Sequence, residues 1–172
     1  MNQSDKEKIL KAGQIAKQVR EYAKSIIKKD IPLLEIAEKI EAKIIELGAK
    51  PAFPVNLSIN DISAHYTPSY DDIILAHGLL KIDFGVHIDG LIADTAFSVD
   101  LENSEQNKKL IKASEEALEK SLELIKQNPK TELNKIGSLI SKTIESKGFS
   151  PIINLSGHSI EEYELHSGIT IP

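Results

Sequence analysis

Two carboxylates stand inside otherwise apolar runs in Lys81-Ile82-Asp83-Phe84-Gly85-Val86-His87-Ile88-Asp89-Gly90-Leu91-Ile92-Ala93-Asp94-Thr95-Ala96. Aspartate is depleted in strands and costly in a core unless something neutralises it. Asp89-Gly90 is a hairpin dipeptide, so the flanking runs should pair antiparallel. In such a pair the residue numbers of opposed positions sum to a constant. Two- and four-residue loops at Asp89-Gly90 make that constant odd, and Asp83 and Asp94 also sum to an odd number. They should then share one face of the hairpin; a three-residue loop or a bulge would separate them. Carboxylates side by side repel unless a proton or a cation lies between them. Hard divalent ions prefer oxygen ligands, and imidazole adds affinity for transition metals. A plainer reading stays open: one aspartate a turn residue, the other a strand-end cap. Asp89 is assigned to the turn, and Asp71, Asp72 and Asp100 to loops and strand ends.

Of the five histidines, three stand in suggestive surroundings. His158 follows a β-prone run in Asn154-Leu155-Ser156-Gly157-His158, and His166 comes eight residues later in Leu165-His166-Ser167-Gly168. His65 lies in the turn-rich segment Ala64-His65-Tyr66-Thr67-Pro68. His77 and His87 read as hydrogen-bonded structural residues. His87 alternates with Asp83 and Gly85 and so shares their face, at the hairpin tip.

Helices should flank this hairpin. Ser4 followed by Glu7 reads as a capping box, and apolar residues from Ile9 to Ile27 recur at helical spacing. Pro32 should lie in the first turn of a second helix that carries Leu33, Ile36, Ala37, Ile40, Ile44 and Leu47 and stops at Gly48. Short β-prone runs follow at Phe53–Ile59, Leu79–Ile88 and Leu91–Val99. A second helix pair is expected over Ser104–Gln127 and from Thr131, its cap, to Lys147, with Gly148 beyond. Strands are expected again at Pro151–Leu155 and Gly168–Ile171. The order repeats: two helices, Gly48 and Asn56-Leu57-Ser58 are echoed about 100 residues later by two helices, Gly148 and Asn154-Leu155-Ser156. One unit is thus expected twice, at about residues 4–100 and 104–172, in a single domain whose second half is cut short.

Composition narrows the class. The 172 residues are 41% hydrophobic and 27% charged, which suits a globular chain with a sizeable core. A net charge of −5 argues against general nucleic-acid binding. The absence of cysteine excludes disulfides, thiol catalysis and cysteine metal sites within these residues. No apolar run is long enough to cross a membrane, so a soluble, cytoplasmic protein is expected.

The hairpin motif, Ala64-His65-Tyr66-Thr67-Pro68, Asn154-Leu155-Ser156-Gly157-His158 and Gly13-Gln14-Ile15-Ala16 together resemble type 2 methionine aminopeptidases of the archaeal and eukaryotic style. The resemblance runs in order over essentially the whole chain. It implies an α+β, pita-bread (creatinase/aminopeptidase-like) fold, incomplete here, with two helix pairs on a curved, mainly antiparallel sheet. It implies two divalent ions (Co, Mn, Fe or Zn), with Asp83 chelating one, Asp94 bridging both and His158 ligating the other. His65 and His166 would contact the peptide being cleaved, and Phe53, Leu165 and His166 would line the methionine pocket. Two glutamate ligands of that family have no counterpart here, since Glu161, Glu162 and Glu164 match neither motif. The reading therefore expects those ligands beyond Pro172, little activity from this chain alone, and a complementing C-terminal half as partner besides the N-termini of nascent proteins. Two alternatives are a proline dipeptidase-like enzyme and a non-catalytic pita-bread binding protein.

Overall fold

The computed structural model describes residues 2–172, which fall into two compact units. The first comprises residues up to Glu102 together with Ile160–Leu165; the second comprises Asn103–Ser159 and His166–Pro172.

In the first unit, α1 (Gln3–Ile26) buries Ala12, Ile15, Ala16, Val19 and Ala23, one stripe at helical spacing. Its cap is Asn2, two residues before the expected Ser4: the Asn2 side chain accepts from Asp5 N (2.9 Å), and Asp5 Oδ2 accepts from Asn2 N (3.0 Å). Asn and Asp form the same reciprocal pair as Ser and Glu, and they win because the apolar stripe tolerates the earlier start. α2 (Leu33–Glu46) has no side-chain cap. Pro32 sets the entry angle, and Leu33 N donates to Ile74 O (2.9 Å), so the loop supplies the acceptor that a cap would have given. Leu33, Ile36, Ala37, Ile40 and Ile44 complete the helix side of the core.

The sheet is antiparallel and built around β3 (Leu79–Ile88). β4 (Leu91–Asp100) lies along one edge of β3, and β1 (Lys50–Pro51) and β2 (Asn56–Ile59) share the other. Leu79 opposes Asp100 and Ile88 opposes Leu91, leaving a two-residue turn. Asp89 (φ 47°) and Gly90 (φ 86°) both take the left-handed conformation that a type I′ turn requires. Leu80, Ile82, Phe84 and Val86 are fully buried on one face of β3, beneath the helices. The run expected over Phe53–Ile59 pairs only from Asn56, because Pro54 has no backbone donor for the ladder.

The second unit pairs α3 (Glu105–Gln127) with α4 (Leu133–Glu145), burying Ala113, Ala117 and Ser121 on one helix and Ile136, Gly137 and Thr143 on the other. Ser104, expected as the first residue of α3, is its N-cap, with its hydroxyl accepting from Asn107 N. Thr131 does not cap α4; its hydroxyl donates to Asn128 O (2.7 Å) and closes the preceding turn instead. Pro151–Leu155 and Gly168–Ile171 are not strands. Only an isolated bridge, His158 with Thr170, forms there, and a single bridge cannot propagate a ladder without paired neighbours. Glu116 receives both Lys120 (2.8 Å) and Lys147 (2.7 Å), and these ammonium groups pull its carboxyl down to about 2.

Positions 100 apart match in type and place: Leu33 and Leu133, Ile36 and Ile136, Ile40 and Ile140, Ile44 and Ile144. Gly48 and Gly148 both stand at φ 80°, with amides donating back to Ile45 O and Glu145 O (2.9 Å each). Neither glycine has an atom within 4 Å of where a Cβ would stand, so only the backbone conformation is at stake. Gly48→Ala and Gly148→Ala should each lower stability by about 1 kcal/mol in urea unfolding. An unchanged midpoint in either would refute that account of how α2 and α4 end.

Candidate functional site

The register settles the geometry of the carboxylates. Asp83 opposes Ala96, and Gly85 opposes Asp94. Directly opposed residues share a face and so do alternate residues along a strand, which puts Asp83 and Asp94 on one face as a diagonal pair. That face is the one away from the helices, since Ile82, Phe84 and Phe97 point the other way and are buried. Asp83 is half-buried at mid-strand and Asp94 is exposed. Diagonal neighbours lie roughly 7 Å apart, where two carboxylates repel by about 2 kcal/mol at an effective dielectric near 20, less for the solvated Asp94. A dication between them turns that repulsion into attraction.

The same face carries further side chains around the aspartates. Asn56 opposes Asp83 and is buried; its amide donates to Pro54 O (2.8 Å) and Thr67 Oγ1 (2.9 Å). Gly85 lies beneath Phe53: a Cβ there would stand 2.5 Å from the ring and 2.8 Å from the Ala52 methyl. A glycine inside a strand often marks such a close approach, and that was the available signal. Half-buried Phe53 is therefore seated over the residue opposed to Asp94. Lys81 also shares the face; burial lowers its pKa, and its ammonium donates to Asn60 O (2.8 Å).

His65 is exposed at φ 65° in a loop pinned on its C-terminal side. Leu57 N donates to Tyr66 O (2.7 Å), Tyr66 N to Ser58 Oγ (3.3 Å), and the Tyr66 hydroxyl to Asp72, which raises the phenol's pKa. A cavity of about 290 Å³ lies beside this loop, lined by Leu33, Leu57, Ile59, Tyr66, Ile74 and His77 among others. Leu57 and Ile59 belong to the helix side of the sheet, so the cavity is on the opposite side from the aspartates. His77 Nδ1 lies 2.9 Å from Leu75 O and His87 Nδ1 accepts from Gly90 N (3.1 Å), the structural roles expected of both.

In the second unit, His158 is half-buried and His166 exposed, with ring centroids 4.1 Å apart. Leu165, just before His166, is half-buried. Among the described residues no group of three or more His, Cys, Asp or Glu side chains is gathered closely enough to hold an ion. The donor pair fixed by a single element is the two aspartates, an all-oxygen set suited to a hard divalent ion.

The profile of metallopeptidase family M24 matches residues 7–172. The chain belongs to that family. Its relatives include proteins named methionine aminopeptidase from Pyrococcus abyssi, 53% identical over 98% of this chain and 56% of that protein, and from Methanothermus fervidus, 48% identical over 96% of this chain and 94% of that one. The chain thus spans about half the length of the Pyrococcus relative and nearly all of the Methanothermus one. Among solved structures, a methionine aminopeptidase from Thermotoga maritima matches with a TM-score of 0.87 at 28% identity, over 100% of this chain and 72% of that one. A prolidase from Pyrococcus furiosus matches at 0.77 and 21% identity, over 99% of this chain and 51% of its own, which shows the fold alone. The fold is α+β, of the pita-bread aminopeptidase type. Among the described residues no helix is long and apolar enough to cross a membrane.

Gly85→Ala should cost about 1–3 kcal/mol by overpacking against Phe53. In Gly85→Ala/Phe53→Ala the two costs should fall well short of adding. Additive losses in urea unfolding would show that Phe53 is not seated on Gly85.

Proposed function

We propose that this M24 chain contributes to a metalloaminopeptidase that removes the initiator methionine from nascent proteins, in the cytoplasm where such chains emerge. The observation that carries the reading is the shared face of Asp83 and Asp94, in a chain about half identical to proteins named methionine aminopeptidase. Asp83, Asp94 and His158 would hold two divalent ions (Co, Mn, Fe or Zn). Bound there, the ions would supply water activation and stabilisation of negative charge on the cleaved carbonyl.

The remaining roles belong to the protein's own side chains. Phe53, over Gly85, offers an apolar surface beside the carboxylates, and Leu165 adds a second apolar contact for a methionine side chain. His65 and His166 present imidazoles able to hydrogen-bond the peptide. The backbone strain at His65 is tolerated because Tyr66 and Thr67 are tied to β2, which fixes the ring's point of departure. The two helix pairs, with their terminal glycines, are read as two copies of one unit.

Charge sets a limit. Two dications carry four positive charges, and Asp83 and Asp94 cancel two. Within these 172 residues the second ion should be weakly held, so turnover should be low unless further carboxylates, from a complementing polypeptide for example, complete the set. A proline dipeptidase-like activity is the second reading, since prolidases share the fold.

The test is methionine release from Met-Ala-Ser, with Met-Pro and Ala-Met-Ser as comparison substrates, at increasing Mn²⁺. The 172-residue chain should release methionine from Met-Ala-Ser only at high metal, roughly 100-fold or more below a longer relative, and Asp94→Ala should abolish it. Preferred cleavage of Met-Pro would favour the prolidase reading. Release that persists in Asp94→Ala, or no metal-dependent release or binding of Met-Ala-Ser, would remove the proposal.

A further inference from the structure

The segment between His158 and His166 is a loop with a tied neck. Ser159 N donates to Ile169 O (2.8 Å) and Ile171 N to Gly157 O (2.9 Å). Ser167 N donates to Ser159 O (3.0 Å), and the Ser167 hydroxyl to the Ser159 hydroxyl (2.7 Å). The two imidazoles flank this neck, one on each arm.

The tip is a second tight turn. Glu161 N donates to Glu164 O (2.9 Å) and Glu164 N to Glu161 O (3.1 Å), with Glu162 and Tyr163 between them. Tyr163 adopts φ 58°, a conformation that costs a residue with a side chain about 1–2 kcal/mol. Such strain persists only where surrounding contacts over-determine it. Those contacts are with the hairpin turn. Tyr163 N donates to Gly90 O (2.9 Å). The ring covers Gly90 so closely that a Cβ there would stand 2.4 Å from it. His87 meets the same ring edge-on, with centroids 5.8 Å apart. The turn itself is anchored to α1 by Lys8 and Asp89 (2.9 Å), an exposed pair in which each partner stabilises the other's charge.

Tyr163 remains 71% exposed, so apolar burial does not account for its conformation. A backbone hydrogen bond, a close ring contact with a glycine and an edge contact with an imidazole define one orientation.

We infer that Tyr163 is a positioning residue: seated on Gly90, it fastens the turn Ile160–Leu165, the tip of the loop between His158 and His166, to the turn of the Asp83/Asp94 hairpin. Its consequence for metal binding rests on the metallopeptidase reading; the fastening itself does not. The ring and the backbone make these contacts, so phenylalanine should replace tyrosine without loss. Glycine accepts the positive φ but lacks the ring, so Tyr163→Gly removes the contact while relieving the strain.

The experiment compares wild type, Tyr163→Phe, Tyr163→Ala and Tyr163→Gly as full chains. Amide exchange at residues 158–167 and the imidazole resonances of His158 and His166 are followed without metal. The affinity for Mn²⁺ alone is then measured by calorimetry. Tyr163→Ala and Tyr163→Gly should speed exchange in the loop at least roughly tenfold, leave exchange in β3 and α1 unchanged, and shift both imidazole spectra. Tyr163→Phe should match wild type throughout. Mn²⁺ affinity should fall about tenfold in the two ring-less variants and not in Tyr163→Phe. Unchanged loop exchange in Tyr163→Gly would overturn the inference, and so would exchange that rises equally in β3 and α1, which would make Tyr163 an ordinary stability residue. If Mn²⁺ leaves the wild-type His158 resonances unmoved, the metal reading fails, and loop exchange still decides the fastening.

Discussion

The two-residue turn at Asp89-Gly90 fixes which side chains can act together. It sets the pairing of Leu79 with Asp100 and, through it, every other pairing along β3 and β4. A slip of one residue would turn one strand's side chains to the other face, burying Asp94 and exposing Phe97. That slip is opposed by the apolar row Leu80, Ile82, Phe84 and Val86, each fully buried under the helices. Truncating Phe84 alone would cost roughly 3–5 kcal/mol, a large share of a domain's net stability. The carboxylates therefore inherit their arrangement from the core on the other face of the sheet. Neighbouring loops depend on the same sheet: Phe53 needs Gly85 of β3 beneath it, and the loop carrying His65 hangs on Asn56 and Ser58 of β2.

Much of this was legible in the sequence because it rests on local rules. Turn chemistry at Asp89-Gly90 and parity along two strands were enough to place Asp83 and Asp94 on one face. The apolar spacing of α1 to α4 gave four helices, with Gly48 and Gly148 as stops. The errors arose where a distant or competing partner decides. Asn2 with Asp5 outcompetes Ser4 with Glu7, and the acceptor for Leu33 N is Ile74 O, forty-one residues away, which no local pattern announces. Thr131 has the chemistry of a cap, but its hydroxyl finds Asn128 O first. Pro151–Leu155 and Gly168–Ile171 have strand composition, yet a strand is defined by its neighbours, and only His158 and Thr170 pair.

The candidate site was legible in residue types more than in arrangement. The roles of Gly85 and Tyr163 lie in what touches them: a glycine within a strand signals a close approach without naming the partner, and a tyrosine's positive φ has no signature in sequence. Membership of family M24 is consistent with the hairpin motif and the fold, and the metal role proposed for the aspartates rests on it together with their shared face.

The metal proposal requires Asp83 and Asp94 to act as one oxygen-donor pair for a divalent ion. Calorimetric titration with Mn²⁺ of wild type, Asp83→Asn, Asp94→Asn and, as control, the exposed loop variant Asp71→Asn tests it most directly. Either Asp83→Asn or Asp94→Asn should weaken binding about tenfold or more, while Asp71→Asn should leave it unchanged. Equal Mn²⁺ affinity in wild type and Asp94→Asn would contradict it.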